Sequence, residues 1–233
     1  MTKTTHQIWQ DFELNLDPDD VLRGQGADPA VIRQRSPRLL KYAEQALIIG
    51  GELIQPRALI REVPVTAVRH ERLIVEGGRL SGSVITAQLG AAATVCAVIC
   101  TVGEEIEAAI HNLEETNPVL AMAVDGLANA AVDELSRQIC SRLAGQAEEK
   151  NLKTSTPISP GSSAWPVEVG QPEIFNLLNA GLIKVSLSDT FLMHPRKSAS
   201  FVVGFGEDMT ITDPCELCNL QEVCRFRQAN ASR

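Results

Sequence analysis

The feature that most constrains the fold is an uncharged segment at residues 80–103. Its length is enough for a helix to cross a lipid bilayer, so a membrane span is one interpretation. Polar serine, threonine and glutamine residues are spread through it, however, and Gly90 divides it into a helix-like half and a β-branched half. This pattern favours a buried helix followed by a central strand, and we therefore expect no membrane span.

A long helix is predicted further along the chain, at residues 118–150. The segment is rich in alanine and carries larger apolar residues on one helical face: Leu120, Val124, Leu127, Ala131, Leu135 and Ile139. Apolar runs between residues 58 and 80, at 182–187 and at 198–205 predict strands, and residues 172–179 predict a short helix. The expected fold class is α+β, with an antiparallel sheet and flanking helices.

The chain divides into three predicted regions. Residues 1–34 are polar and acidic and are expected to be peripheral, residues 35–210 form the α+β domain, and residues 211–233 form a C-terminal cysteine cluster and tail. Residues 1–20 contain no apolar core of a secretory signal, which predicts a cytoplasmic protein.

Composition excludes several classes of protein. Hydrophobic residues make up 44% of the chain and charged residues 21%, which is typical of a folded domain rather than of a disordered one. The formal net charge is −8, and the basic residues are not concentrated in one stretch. We therefore expect no nucleic acid among the partners.

Three cysteines lie within ten positions near the C-terminus: Cys215, Cys218 and Cys224. Thiols at this spacing can share one metal ion or cluster, because the turn between the first two brings both sulfurs to one side. The pattern favours an iron–sulfur cluster, with zinc as the alternative and free or redox-active thiols as a third interpretation. No fourth ligand is present nearby in the sequence.

A fourth ligand is available from solvent, substrate, a neighbouring subunit or one of three other cysteines: Cys96, Cys100 and Cys140. The first two alternate with apolar residues in the predicted central strand. Free cysteine is among the most buried residue types, so burial is the favoured interpretation for both.

A loop at residues 159–166 combines proline, glycine and serine with Trp165. Glycine can expose backbone amides and serine supplies hydroxyl donors, as a site for a polar small molecule requires. A structural turn with one packing tryptophan is the alternative. The sequence contains no glycine-rich phosphate loop and no Gly-x-Ser-x-Gly motif, so neither nucleotide binding of the P-loop type nor a serine hydrolase is indicated.

The order of motifs from this loop onward resembles the activation (reactivation) domain family of cobalamin-dependent methionine synthase, in its stand-alone bacterial form with a C-terminal cysteine cluster. The similar motifs are Ser159-Pro160-Gly161, Trp165-Pro166, a helix with Leu177-Leu178, and the stretches 183–190 and 193–198. The likeness extends over residues 17–227, and its specific part is residues 159–198.

The resemblance implies an accessory protein that reactivates a corrinoid-dependent methyltransferase such as methionine synthase. In that family the domain docks on a corrinoid protein with inactive Co(II) and supplies S-adenosylmethionine, so that one-electron reduction is trapped by methylation. The implied cofactor-binding residues are, together, Asp133, Ser159, Pro160, Gly161, Ser162, Trp165, Asp189, Met193 and His194. The cobalamin belongs to the partner, and whether the chain is itself an enzyme stays open.

This chain departs from the family pattern at two positions. Pro157 stands where the family has an arginine, and Ser162 stands where it has a tyrosine. Loss of a bidentate carboxylate clamp predicts weak S-adenosylmethionine binding, unless Lys153 or Arg196 compensates. Two other functions remain alternatives: an iron–sulfur electron-transfer protein, and a non-catalytic metal- or corrinoid-binding partner of a methyl-transfer system.

Overall fold

The computed structural model describes residues 6–162 and 165–210. In chain order its helices are α1 Pro18–Gly24, α2 Pro29–Arg35, α3 Arg38–Gly51, α4 Ser83–Leu89, α5 Glu105–Thr116, α6 Pro118–Glu149 and α7 Val167–Leu177, with a 3-10 helix at Ala180–Ile183. The strands are β1 Gln7–Trp9, β2 Arg57–Arg69, β3 Arg72–Val75, β4 Gly78–Ser81, β5 Thr94–Thr101, β6 Lys153–Thr154, β7 Ser186–Leu187, β8 Met193–His194 and β9 Ser198–Gly206.

One seven-stranded antiparallel sheet organises the molecule. Its strands follow the order β4-β3-β2-β5-β9-β6, and β1 pairs with β2 outside this path. A separate two-stranded hairpin is formed by β7 and β8. The α+β class with an antiparallel sheet and flanking helices is thus confirmed.

The uncharged segment forms the end of β4, the helix α4 and the central strand β5. Strand β5 is buried on both faces because its side chains alternate between two cores. Cys96, Val98 and Cys100 point into one core, and Val95, Ala97 and Ile99 into the other. Among the described residues no helix is long and apolar enough to span a membrane.

Helix α6 covers one face of the sheet. It begins where the Asn117 side chain accepts a hydrogen bond from the Leu120 backbone N–H, with Pro118 in the first turn. Its apolar side chains, with α1, α3 and α5, enclose the first core. The predicted long helix is confirmed. On the other face α7, α4 and the 3-10 helix enclose the second core, which contains Trp165.

Two expectations from the sequence are corrected. The strand predicted at residues 182–187 is a 3-10 helix that ends at Lys184 in the left-handed conformation, with only Ser186–Leu187 extended. The N-terminal region is not peripheral, because Val21 and Leu22 are fully buried in the first core. The division of the chain at residues 34 and 210 into separate units stays a prediction.

Candidate functional site

Asp133 lines a cleft between α6 and the start of β9. The cleft has a volume of about 270 Å³, and the residues that line it come from α1, α6, the segment before β9 and the first position of β9: Gly24, Asn129, Val132, Asp133, Arg196, Lys197 and Ser198. Asn129 and Asp133 are one helical turn apart, so their side chains share the same face of α6. We call this space the α6 cleft.

A close helix crossing forms one wall of the α6 cleft. A Cβ added to Gly24 would lie 2.0 Å from the backbone oxygen of Gly126, so only glycine permits this approach of α1 to α6. Asn129 bridges the two helices, because its amide nitrogen donates to the Gly24 backbone oxygen at 3.0 Å and to the Asp125 carboxylate at 3.1 Å. The position of α1 is thereby fixed against the cleft.

Lys197 is held at both its side chain and its backbone. Its ammonium lies 2.6 Å from the Asp125 carboxylate and donates to the Asn129 side-chain oxygen at 2.8 Å, and its side chain is 15% exposed. Its backbone N–H donates to Glu107 of α5 at 3.2 Å, and its carbonyl accepts from the Val102 backbone N–H at 3.1 Å. These contacts fix Lys197 as part of the cleft wall.

Arg196 and Asp133 differ from Lys197 because no side chain among the described residues pairs with their charged groups. Both residues are exposed. Within the described ranges, neither the Arg196 guanidinium nor the Asp133 carboxylate takes part in an ion pair or a side-chain hydrogen bond. Loss of water to the surrounding protein raises the pKa of the Asp133 carboxyl, and the charge of Arg137 only partly offsets this effect.

The loop at residues 159–162 lies on the other side of the sheet, in front of α7. Gly161 has a φ of +91°, which favours glycine, and its N–H donates to the Trp165 carbonyl at 2.7 Å. The backbone N–H of Ser162 donates to the Ser159 carbonyl, and the backbone N–H of Trp165 donates to the Ser162 carbonyl. The expectation that this loop exposes backbone amides is therefore corrected for these three groups, which bond within the loop.

Trp165 anchors the loop to α7. Its side chain is fully buried in the second core, and its indole N–H has no hydrogen-bond partner among the described residues. A Cβ added to Gly170 would lie 2.7 Å from the Trp165 ring and 2.8 Å from the Pro160 ring, so the missing side chain lets both rings pack on the helix. Trp165 thus contributes packing beneath the loop.

Strand β9 connects the loop with the α6 cleft. Ile158, directly before the loop, pairs with Val202 through backbone hydrogen bonds, and Ser198 at the start of the strand lines the cleft. At roughly 3.3 Å per residue these two points are about 13 Å apart along the strand. The two places therefore border the same strand, from opposite sides of the sheet.

The remaining predicted residues lie on the hairpin of β7 and β8. Asp189 is exposed in its turn, in which the Ser188 N–H donates to the Leu192 carbonyl and the Leu192 N–H donates to the Ser188 hydroxyl. Met193 is half-buried and packs against the second core, whereas His194 is exposed. None of these three residues lines the α6 cleft.

Comparisons with known proteins identify the fold. One solved structure, described as the crystal structure of the MetH reactivation domain bound to AdoHcy, matches with a TM-score of 0.70 at 15% sequence identity. The match covers 97% of this chain and 87% of that one. The chain has the reactivation-domain fold. No family model matches the sequence, and no curated protein matches it.

The cysteines fall into two sets in this reactivation-domain fold. Cys215, Cys218 and Cys224 lie outside the described residues, so their metal site stays a prediction. Cys96 and Cys100 are buried, as the alternation of β5 predicts, and burial raises the pKa of Cys100 to about 12 and of Cys140 to about 11. No group of three or more possible metal ligands occurs within residues 6–162 and 165–210.

Most residues that build the α6 cleft carry no local signal in the sequence. The sequence indicates Arg196 only as a compensating cation, and it does not indicate Gly24, Asn129 or the ion pair of Lys197. Their contacts join positions separated by more than 60 residues. The one available signal was the pair of adjacent basic residues 196 and 197 within the specific stretch.

Proposed function

We propose that this chain is an accessory protein for the reductive reactivation of a corrinoid-dependent methyltransferase of the methionine synthase type. The observation that carries the proposal is the reactivation-domain fold over 97% of the chain, in a neighbour that holds AdoHcy, the demethylated form of S-adenosylmethionine. The motif order at residues 159–198 gives independent support from the sequence.

The proposed reaction has two steps, a one-electron reduction and a methyl transfer. An external one-electron donor reduces the partner's Co(II) to Co(I), and the methyl group of S-adenosylmethionine then forms a bond to cobalt as its bond to sulfur breaks. The products are methyl-Co(III) and S-adenosylhomocysteine. The part of this chain is to hold S-adenosylmethionine in position against the docked corrinoid, which makes methyl transfer effectively intramolecular.

The proposed ligand site runs along β9. Ser159, Pro160, Gly161 and Ser162 contact its loop end, and Asp133 receives the amino group of the ligand in the α6 cleft. The support is geometric, because both places border one strand about 13 Å apart. Since two backbone amides of the loop are already bonded, the loop contributes serine hydroxyls and packing surface rather than an amide cradle.

The corrinoid partner is proposed to dock on the β7–β8 hairpin side. His194 is exposed there, and Asp189 is exposed in the hairpin turn, so both side chains are open to a partner. Trp165 does not contribute to this surface because its side chain is fully buried.

The test is a methyl-transfer assay with the corrinoid protein in its Co(II) state. With a one-electron reductant and S-adenosylmethionine, addition of this chain is expected to increase the rate of methyl-Co(III) formation at least tenfold, as read from the absorbance change. Omission of S-adenosylmethionine should abolish the product. Equal rates with and without the chain would contradict the proposal.

A second function is proposed for the C-terminal cysteines on the basis of their spacing. Cys215, Cys218 and Cys224 bind one iron–sulfur cluster, or one zinc ion, that relays electrons or closes the C-terminal region. Anaerobically purified protein should contain iron and sulfide near stoichiometry. Zinc alone would favour a structural site, and neither metal would remove this part of the proposal.

A further inference from the structure

We infer that Glu107 of α5 is a positioning residue for the corrinoid partner, because its carboxylate fixes the segment through which the β7–β8 hairpin joins β9. We call this segment, residues 195–197, the hairpin exit. The inference rests on the proposed function and deepens it. It names a residue that holds the proposed docking surface in one orientation before the partner binds.

The Glu107 carboxylate accepts hydrogen bonds from two consecutive backbone N–H groups. Its Oε1 atom accepts from Arg196 and, at 3.2 Å, from Lys197. Hydrogen bonds to an ionised acceptor are roughly twice as strong as those between neutral groups. Both N–H groups precede Ser198, where β9 and its pairing with β5 begin. Glu107 therefore supplies an acceptor at the place where the sheet does not yet supply one.

The place of Glu107 in its own helix shows that a local role has been given up. Helix α5 begins at Glu105, so Glu107 is its third residue, where a glutamate commonly bonds back to the N-cap N–H. It bonds instead to a segment 89 residues away in the sequence, and the N-cap residue Glu104 makes no side-chain cap hydrogen bond. Departures from a local rule of this kind are expected at functional positions.

The hairpin exit separates two cavities. Arg196 and Lys197 line both the α6 cleft and a second cavity of about 310 Å³ beside α5. Lys197 has further anchors in its ion pair with Asp125 and in the bonds of its carbonyl to the end of β5 and the residue after it. The Arg196 N–H bonds to Glu107 alone within the described ranges. The first part of the exit therefore depends on Glu107 more than the second part does.

The charges around Glu107 are nearly balanced. The ionisable residues that line the second cavity are Glu107, His111, Glu114, Asp125, Arg196 and Lys197. Asp125 pairs with Lys197 at 2.6 Å, and Glu114 lies 3.3 Å from His111. Glu107 and Arg196 remain as one anion and one cation, and no ion pair joins them in the described part of the chain. Hydrogen bonding to the backbone, rather than pairing with the guanidinium, is thus the contact to test.

The hairpin exit links Glu107 to the proposed docking surface. His194, the last residue of β8, directly precedes the exit and is exposed, whereas Pro195 is buried. The Ser198 hydroxyl donates to the Pro195 carbonyl at 2.7 Å, which joins the exit to the start of β9. A hairpin with a fixed base loses less conformational freedom when a partner binds, and this preorganisation increases affinity. Glu107 therefore acts on partner binding and not on methyl transfer itself.

The experiment is calorimetric measurement of the affinity of the full chain for the corrinoid protein in its Co(II) state. Glu107→Ala removes the acceptor and is expected to weaken binding at least tenfold. Glu107→Gln keeps an oxygen at the same reach and should weaken it less than threefold. Glu107→Asp keeps the charge but is one methylene shorter, and should weaken it at least fivefold. Glu114→Ala removes another carboxylate of α5 and should change the affinity less than twofold.

Reaction rates separate positioning from a general loss of structure. In the methyl-Co(III) assay, Glu107→Ala should raise the KM for the corrinoid protein at least tenfold and change kcat less than twofold, because a saturating partner selects the docked orientation. Amide hydrogen exchange is the control for folding. Exchange of the Arg196 and Lys197 amides should accelerate at least tenfold in this variant, while exchange in β5 stays unchanged. If Glu107→Ala does not fold, the comparison of Glu107→Gln with Glu107→Asp decides.

Three outcomes would overturn the inference. The Glu107 variants bind the corrinoid protein as tightly as the wild type, Glu107→Gln binds more weakly than Glu107→Asp, which would assign the effect to charge, or the wild-type chain binds no corrinoid protein. The proposed reactivation role is decided separately by the rate of methyl-Co(III) formation with the wild-type chain. A chain that accelerates this reaction, with unchanged KM in Glu107→Ala, would lose this inference and keep its function.

Discussion

The α6 cleft and the loop at residues 159–162 face the same strand but use their polar groups in opposite ways. In the loop, the N–H groups of Gly161 and Ser162 bond within the turn, and Trp165 beneath them is fully buried. In the cleft, Lys197 is fully engaged, whereas Arg196 and Asp133 keep open charges. The loop is thus built for packing and shape, and the cleft for recognition of charge.

The largest effect is expected from Gly24→Ala, which tests whether the cleft depends on the α1–α6 crossing. The new Cβ would lie 2.0 Å from the Gly126 oxygen, so the two helices must separate. We expect a loss of about 3 kcal/mol in the free energy of unfolding, measured by urea denaturation, together with loss of S-adenosylhomocysteine binding.

The matched control for this variant is Gly145→Ala, further along α6. No atom lies within 4 Å of the added Cβ there, and alanine favours a helix over glycine by about 1 kcal/mol. This variant should be slightly more stable than the wild type. If Gly24→Ala and Gly145→Ala were equally stable, the close crossing would not support the cleft.

The next largest effect is expected from Gly170→Ala, which changes the loop without touching the cleft. The added Cβ would collide with Trp165 and Pro160 at 2.7 to 2.8 Å. Such overpacking predicts a loss of about 2 kcal/mol. Emission from Trp165, recorded in a Trp9→Phe background, should change, while the affinity for S-adenosylhomocysteine should fall less than in Gly24→Ala. A larger fall in Gly170→Ala would show that the loop, rather than the cleft, provides most of the ligand binding.

Lys197→Met is expected to have a smaller effect on the free energy of unfolding. It tests whether Lys197 only supports the cleft or itself binds the ligand. It removes a cation whose partner Asp125 is 44% exposed, so the loss in unfolding free energy should be about 1 kcal/mol. The affinity for S-adenosylhomocysteine should change less than in Asp133→Asn. A larger loss of affinity in Lys197→Met, measured by calorimetry, would show that Lys197 itself binds the ligand.

The smallest effect on stability is expected from Asp133→Asn. The raised pKa means that the folded chain holds this proton more tightly than the unfolded chain, a stabilisation that is complete below the ordinary pKa of 3.8 and lost as the pH rises through the raised value. At neutral pH the variant should therefore equal the wild type or exceed it by at most about 0.5 kcal/mol.

Acid titration of stability checks this prediction. The wild type should gain stability relative to Asp133→Asn as the pH falls below the raised pKa. The opposite slope would mean that Asp133 is stabilised as a carboxylate in the folded chain. The affinity for S-adenosylhomocysteine near pH 7 should nonetheless fall in the variant, because the partner for the ligand ammonium is gone.

The sequence predicted the parts of the fold that local periodicity determines. Strand β5 was recognised from its apolar run, and α6 from its helical spacing. Strand β2 was expected as several short strands, because charged residues and Pro64 interrupt the apolar pattern, yet it is one strand at Arg57–Arg69 with an irregularity between Val65 and Ala67. Pairing with three different strands decides its length, and pairing is not visible in a local pattern.

The candidate site was predicted less completely, for a related reason. The loop at residues 159–166 was visible because it combines proline, glycine and serine, but the bonding of its amides within the turn was not. Whether Lys197 or Arg196 is open depends on Asp125, Asn129 and Glu107, which lie more than 60 residues away. Long-range ion pairing therefore decides which of two adjacent cations can meet a ligand.

The most direct measurement is a crystal structure of the chain with bound S-adenosylhomocysteine. The account predicts that the ligand ammonium lies near Asp133 in the α6 cleft, with the adenosine directed along β9 toward Ser159 and Gly161. A ligand whose amino-acid end lies outside the α6 cleft would contradict it.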